Sequence, residues 1–541
     1  MRVEITAADL APNALRQWAA ITPDQVLLDH VDGRRLTYAG ATARADRWAA
    51  GFARLGVEVG AVVGIFVTDS FDGARAWLDV TTAGMVAVPV NTAHLGRMLR
   101  HVLVTSEMEV VVVSPDLVDR LAEVVGGDGD GKAALRLVVV LGEPGADQPA
   151  APVAPVGAVA SVAAAELEGA GDDPAPAPFR PELHDTAMFL FTSGTTGPAK
   201  AVVIPWAASH SHWSMVPEDT IALGEALYAP VAMFHNSGIG ALQFVVWRGG
   251  RLVLRGRFSA TAFWDDVRRS GAVAAGLVGP MTAVLWSLPQ ADDDADNPLR
   301  GVVVGPMIEQ MEAFERRFGV KVCTSYGMTE VPSMIATTWD HGPWATCGTL
   351  CGGWPWPDLA VVDEHDREVP VGTVGELIVR TRAPWALNAG YHGDPAATAA
   401  AWRNGWFHTG DAFRQDDEGR YYFVDRMKDS IRRRGENISS FEVESAVLDH
   451  PAVAECAAFA VPDGFGGDEV MVVVVAADGA APDREELFAF LGATMPAYTV
   501  PRYVEVVDQI PRNSTTLRIQ KFVLRQRGVT PTTWDRLAPQ P

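Results

Sequence analysis

A chain of 541 residues is longer than one ordinary hydrophobic core organises, so two or more domains are expected. With 48% hydrophobic and 21% charged residues the composition is globular and excludes a disordered chain. A formal charge of −23 excludes a nucleic-acid surface, and the short run Arg432-Arg433-Arg434 does not reverse it. No charged start leads into an apolar stretch, and no run approaches ~18 uninterrupted apolar residues, so neither a signal peptide nor a membrane span is expected. Four cysteines in such a length fit a reducing cytosol, hence a cytoplasmic location. Cys347 and Cys351, with His341 nearby, lack a second ligand pair and are expected to be buried thiols rather than a metal site.

From the N-terminus, helical patterns such as Ala41 to Leu55 alternate with valine-rich runs at Ala61 to Val67, Glu109 to Val113 and Leu135 to Leu141. That alternation predicts a largely parallel sheet covered by helices. Glu143 to Pro181, rich in Ala, Pro, Gly and Asp without periodicity, reads as a long surface excursion. Alternation resumes with Arg251 to Leu254, a helix over Thr261 to Ser270, and Gly301 to Val304. Val361-Val362-Asp363 and Gly375 to Arg380 read as strands of a smaller β region. After Asp425 a small α+β module follows, with helices at Glu442 to Leu448 and Arg484 to Leu491 and strands at Ala454 to Ala460 and Val470 to Ala476. The fold class is therefore α/β, divided at Lys428 into residues 1–427 and 428–541.

Between the apolar runs Ala187 to Phe191 and Ala201 to Ile204 lies Thr192-Ser193-Gly194-Thr195-Thr196-Gly197-Pro198-Ala199-Lys200. Two strands joined by hydroxyls, glycines and a terminal lysine suit a loop that wraps a phosphate, because glycine lets backbone N–H groups approach and the lysine supplies charge. No Gly-Lys-Ser/Thr ends it, so it is not a Walker loop.

This loop resembles the phosphate-binding signature of the adenylate-forming superfamily of acyl-CoA synthetases, luciferases and peptide adenylation domains. Four further segments resemble the family's motifs in the right order: Tyr326-Gly327-Met328-Thr329-Glu330, His408-Thr409-Gly410-Asp411, Asp425-Arg426-Met427-Lys428-Asp429 and Arg434-Gly435-Glu436-Asn437-Ile438. The resemblance runs from about Leu36 to the C-terminus, and the final third looks most like carnitine–CoA ligases. It implies a large N-terminal domain and a small mobile C-terminal lid hinged at Lys428. It also implies an ATP- and Mg²⁺-dependent ligase that adenylates an acid and passes it to an acceptor. Thr192, Ser193, Gly194, Thr195, Thr196, Gly197 and Lys200 would hold the β- and γ-phosphates, Thr329 the α-phosphate, and Glu330 the Mg²⁺, which prefers hard oxygen. Tyr326, with Gly327, Met328, Gly305 and Pro306, would form the adenine slot; Asp411 would accept the ribose hydroxyls, and Arg426 would donate to ribose or phosphate. His235, in Met233-Phe234-His235, would guard the acid's carboxylate.

Three departures qualify the resemblance. Leu517 stands where strict counting from Pro511-Arg512 places the family's C-terminal catalytic lysine; anchoring on Thr516 to Lys521 puts Arg518 there instead, with Lys521 the weaker candidate. The family's glycine pair after the hinge is Arg434-Gly435, on the route a CoA arm would take. Its glycine-rich adenine strand, which floors the acid pocket, is Val302-Val303-Val304-Gly305-Pro306-Met307, which leaves less room and implies a small acid. Of the 16 tryptophans, Trp206, Trp213, Trp354 and Trp356 are expected to serve packing rather than an aromatic cage.

The leading reading is an acyl-CoA synthetase-like enzyme for a small acid. The alternative acceptor is an amine, with an acid that extends to inorganic nitrite, as in ATP-dependent diazotases. A nucleotide-binding scaffold without catalysis is a third reading, supported only by the missing lysine. The identity of the acid and the oligomeric state are not legible in the sequence.

Overall fold

The computed structural model describes residues 4–538 except 126–133, 143–153, 170–175, 193–198, 214, 309, 340–342, 352–355, 427–430, 434–435, 439, 463–467, 478–481, 496–498 and 513–518. Its compact units are Met1–Leu359 with Val379–Phe407 and Gly419–Tyr421, and Ala360–Ile378 with His408–Glu418 and Tyr422–Pro541. The predicted division at 428 falls outside the described residues.

The first unit is built on two sheets. One runs in the order Ala160–Ala163, Leu137–Val140, Val110–Val113, Val62–Phe66, Val86–Pro89, Thr186–Thr192, Lys200–Pro205. Its neighbours are parallel except the last pair, which is antiparallel. The other runs Lys321–Cys323, Gly301–Gly305, Ala274–Val278, Ala226–Tyr228, Arg251–Leu254, Val26–His30, Arg35–Thr37, again parallel up to a final antiparallel pair. Strands such as Val110–Val113 are buried throughout because both sheet faces are covered, as their unbroken valine runs require. Between the sheets lie the helices Ser70–Thr82 and Asn236–Arg248, packed in one cluster with Val63, Ile65 and Leu190 of the first sheet and Leu28, Leu227 and Leu252 of the second. The outer faces carry separate clusters, around Leu99, Val111 and Leu121 on one side and Phe263, Val304 and Phe314 on the other.

The helix expected over Ala41 to Leu55 spans Tyr38–Arg54, started by Thr37, whose hydroxyl accepts from Gly40 N–H. Glu143 to Pro181 departs from the expected excursion. It contains the strand Ala160–Ala163, which extends the first sheet, and the helix Ala164–Glu168, whose Leu167 is fully buried. The strand has small side chains and only one fully buried position, so no apolar alternation announces it.

The small β region includes Pro357–Val362 and Gly375–Thr381. In the C-terminal α+β module the strands Val453–Pro462 and Asp468–Ala476 are antiparallel, Tyr503–Val506 runs parallel to the latter, and the helices include Ser440–Leu448, Arg484–Thr494 and Lys521–Arg527. Val470, Val472 and Val474 pack with Leu487 and Leu491, while Met471 and Val473 pack with Ile510 and Leu524. That strand is buried on both faces, which explains its continuous apolar run. Cys323 and Cys456 are buried, whereas Cys347 and Cys351 are only half-buried because they flank the strand Gly348–Leu350, two of whose three residues are exposed. No helix among the described residues is long and apolar enough to cross a membrane.

Candidate active site

The strands Thr186–Thr192 and Lys200–Pro205 form a hairpin in which Thr192 stands opposite Lys200. Its connection carries Ser193, Gly194, Thr195, Thr196 and Gly197, which lie outside the described residues. The far end of that connection is anchored: His101 Nε2 lies 2.7 Å from the Ala199 carbonyl oxygen, and its Nδ1 lies 3.3 Å from the Thr105 hydroxyl. The Ala199 carbonyl accepts from Nε2–H, and the Thr105 hydroxyl pairs with Nδ1. Nothing local in the sequence marks His101, whose partner Ala199 lies elsewhere in the chain.

Ser325–Tyr326 pairs with Ile335–Ala336, and the excursion between them carries Gly327, Met328, Thr329 and Glu330. Met328 and Val331 exchange backbone hydrogen bonds of 2.8 and 3.2 Å, so Thr329 and Glu330 occupy the tip of a tight turn. Gly327 is required by close approach: a Cβ there would meet Ser333 N and Val331 O at 3.1 Å. Gly305 ends its strand beside this segment, where a Cβ would stand 3.7 Å from the Ser325 carbonyl oxygen, and Pro306 follows. Gly305 and Pro306, expected to share an adenine slot with Tyr326, thus lie beside the segment that carries it.

A further segment ties the Thr186–Thr192 and Lys200–Pro205 hairpin to this turn. Ala389–His392 runs antiparallel along Lys200–Pro205, with Ala389 N–H donating to Val203 O and His392 N–H to Ala201 O, at 2.9 and 2.8 Å. It presents Tyr391, whose ring centroid lies 4.9 Å from Lys200 Nζ and whose hydroxyl donates to Glu330 Oε1 at 3.1 Å. Asn388 Nδ2 donates to the Glu330 carbonyl at 2.8 Å, and Asn388 Oδ1 accepts from Gly390 N–H and Trp402 Nε1. Burial first, and then the Glu330 carboxylate, pushes the Tyr391 phenol well above its ordinary pKa, so it stays a donor. Glu330 is buried, and with the neighbouring Thr329 it offers only carboxylate and hydroxyl oxygens, the donor chemistry that suits Mg²⁺.

His235 stands at the N-cap position of the helix Asn236–Arg248, its ring 4.7 Å from that of Phe234. Asn236 Nδ2 donates to His212 Nδ1 at 2.7 Å; burial holds the His212 pKa at about 3, which keeps that acceptor neutral. Trp213 follows and lies between this helix and the strand Ala274–Val278. A Cβ on Gly240 would overlap its indole, and one on Gly276 would stand 3.1 Å from Cη2. Gly276 pairs with Val303, so Trp213 and Val303 occupy the same face. Of the three valines expected to fill the acid pocket, only Val303 faces this way. Val302 and Val304 alternate onto the opposite face and pack with Phe263 and Phe314, so that expectation is corrected for both. Trp206 is a core residue.

In the second unit, Asp411 is buried within the strand Trp406–Gln415 rather than on a surface turn. Glu376 bridges its approach: Oε1 accepts from Gly410 N–H at 3.0 Å and Oε2 lies 2.9 Å from His408 Nδ1. Thr409 donates to Leu377 O at 2.6 Å and accepts from Asp411 N–H at 3.1 Å. Gly410 takes a φ of +68°, a conformation glycine adopts without strain. Lys521 Nζ is paired with Glu444 at 2.8 Å and with Ser440 at 2.5 Å, so it is engaged inside the C-terminal module. Lys428, Arg434, Gly435, Arg518 and the side chain of Arg426 lie outside the described residues.

A family model described as AMP-binding enzyme matches residues 15–392, and one described as AMP-binding enzyme C-terminal domain matches 442–516. The chain is 29% identical over 504 residues to a crotonobetaine/carnitine–CoA ligase of Citrobacter koseri, covering 90% of this chain and 93% of that protein. The structure of ATP-bound MatB from Rhodopseudomonas palustris matches with a TM-score of 0.80 at 24% identity, over 97% of this chain and 99% of that one. An anthranilate–CoA ligase in complex with anthranoyl-AMP matches with a TM-score of 0.81 at 21% identity, over 97% and 99%. Five ordered motifs, the two-sheet fold and the family match agree: the chain belongs to the AMP-binding, adenylate-forming enzyme family and is an AMP-forming acid ligase.

Proposed function

We propose that this ligase adenylates a small acid with ATP and passes it to CoA. The observation that carries the reading is the linked set Lys200, Tyr391 and Glu330, which brings a phosphate-seeking cation and a cation-seeking carboxylate to one place. In the first step an oxygen of the acid attacks the α-phosphorus, the bond to the bridging oxygen of the β-phosphate breaks, and pyrophosphate leaves. Lys200, Thr192 and the Ser193 to Gly197 loop neutralise and orient the departing phosphates, Thr329 holds the α-phosphate, and Arg518 adds charge from the C-terminal module. Mg²⁺ bound at Glu330 would screen the phosphate charge. Tyr326, Gly327, Met328, Gly305 and Pro306 take the adenine, and Asp411 and Arg426 the ribose. His235 faces the acid, whose far end is limited by Trp213 and Val303. For the second step, Lys428 serves as the hinge that brings Arg434 and Gly435 to the acceptor.

The filled space around Trp213 and Val303 also favours a second reading, in which the acid is minimal, nitrite included, and an amine replaces CoA. Pyrophosphate release against a panel of short and long acids and nitrite, with and without CoA, tests both. Acceleration by CoA with a short carboxylic acid supports the first reading, and turnover indifferent to CoA supports the second.

A further inference from the structure

We propose that Tyr391 is a positioning residue that holds Lys200 and Glu330 as one unit, so that the phosphate chain and its divalent cation are received in a fixed relation. This rests on the reading of Lys200 as the phosphate lysine and Glu330 as the cation's carboxylate.

The ring is fixed independently of both partners. Its backbone bridges to Val202 on one side, and its N–H donates to Thr398 Oγ1 at 2.9 Å on the other. Gly390, immediately before it, takes a φ of +105° and passes so close to Thr398 that a Cβ would stand 2.7 Å from Cγ2. The segment that presents Tyr391 is therefore locked at each end. Glu330 is held twice by the same segment, at its carbonyl by Asn388 and at its carboxylate by the phenol.

A lysine on a flexible four-carbon stem loses rotamer freedom when it engages phosphate, and a ring beneath it reduces that loss in advance. A carboxylate has about four lone-pair directions, and the phenol takes one of them, on Oε1. The tyrosine gives up no proton and forms no covalent bond. It sets where the two charges stand.

Two variants separate its contributions. Y391F keeps the ring and removes the donated hydrogen bond, whereas Y391L removes both. ATP binding to the full-length protein is measured by calorimetry with and without Mg²⁺, with thermal melts to check folding. Y391F is expected to weaken binding of ATP with Mg²⁺ by roughly tenfold, the scale of a lost hydrogen bond to a charged group, while binding without Mg²⁺ shifts by under about twofold. Y391L should weaken both. The double variant E330Q/Y391F should bind no more weakly than E330Q, because the phenol acts through that carboxylate. A Y391F protein that matches wild type, or loses affinity equally with and without Mg²⁺, overturns the proposal. K200A and E330Q keep the two readings apart. If both bind MgATP like wild type, the site assignment fails and the proposal with it; if both are weakened and Y391F is not, only the positioning role fails. Should Y391L not fold, Y391F, which loses a single oxygen, carries the test.

Discussion

Lys200, Glu330 and Asp411 each meet a different part of MgATP in the proposed site, so none can substitute for another. Alanine at any one should lower pyrophosphate release by orders of magnitude with folding retained; near-wild-type rates in two of the three would sink the assignment. At the same scale, two buried histidines make stability depend on pH. Burial lowers the pKa of His210 to about 4 and of His212 to about 3. In the unfolded chain both titrate near ~6.5, so between that pH and the folded values unfolding takes up protons. Their contribution to stability is therefore full above about pH 6.5 and falls on acidification, by up to ~1.4 kcal/mol per pH unit for each histidine. His210 packs edge-on to Trp247, ring centroids 4.8 Å apart, and His210→Phe keeps an aromatic ring there. It should flatten the acid side of a melting-temperature profile by one proton's worth. An unchanged slope would show that His210 is not the group that titrates. Neither histidine carried a signal in the sequence, because a lowered pKa comes from burial by residues remote in the chain.

At the scale of elements, the helix Asn236–Arg248 and the strand Ala274–Val278 approach closely enough only because Gly240 and Gly276 leave room for the Trp213 indole. Gly240→Ala should destabilise the protein by ~1–3 kcal/mol through overpacking. In a Trp213→Ala background the same change should be neutral or slightly stabilising, since alanine suits a helix interior better than glycine by roughly 0.5–1 kcal/mol. Thermal melts of the four proteins of that cycle decide it; a full G240A penalty persisting without Trp213 would refute the wedge. Trp213→Ala, with or without Val303→Gly, should also extend the acids accepted in pyrophosphate release towards longer ones, worth ~1–3 kcal/mol per methylene accommodated. Val304→Gly should instead cost stability without widening specificity, because Val304 sits in the cluster of Phe263 and Phe314. A wild-type enzyme that already activates long-chain acids efficiently would end the small-acid reading. The valines were plain in the sequence, but which of them shares a face with Trp213 depends on strand alternation relative to a neighbour.

For the whole molecule, the open question in the sequence was which C-terminal residue supplies charge during adenylation. Lys521 is committed to Glu444 and Ser440, so Lys521→Ala should lower thermal stability more than it lowers adenylate formation. Arg518→Ala should do the reverse, slowing adenylate formation far more than attack on a preformed adenylate. Rapid-quench measurement of the two half-reactions distinguishes them, and an exchange of the two phenotypes would show the proposed alignment to be displaced.

By itself the sequence determined the α/β class, the family and the order of its motif segments. Valine runs, glycine turns and the motif from Tyr326 to Glu330 are local features, written in consecutive residues and fixed by backbone geometry. Tertiary structure decided what depends on distant segments meeting. Tyr391, Asn388 and Glu376 are single polar residues in unremarkable strings, and they acquire a role only where the chain returns beside Lys200, Glu330 and Asp411. Trp213 became a wedge only where a helix and a strand opened a glycine on each side of it. A contact between remote residues leaves no period in either segment, so it is decided by packing.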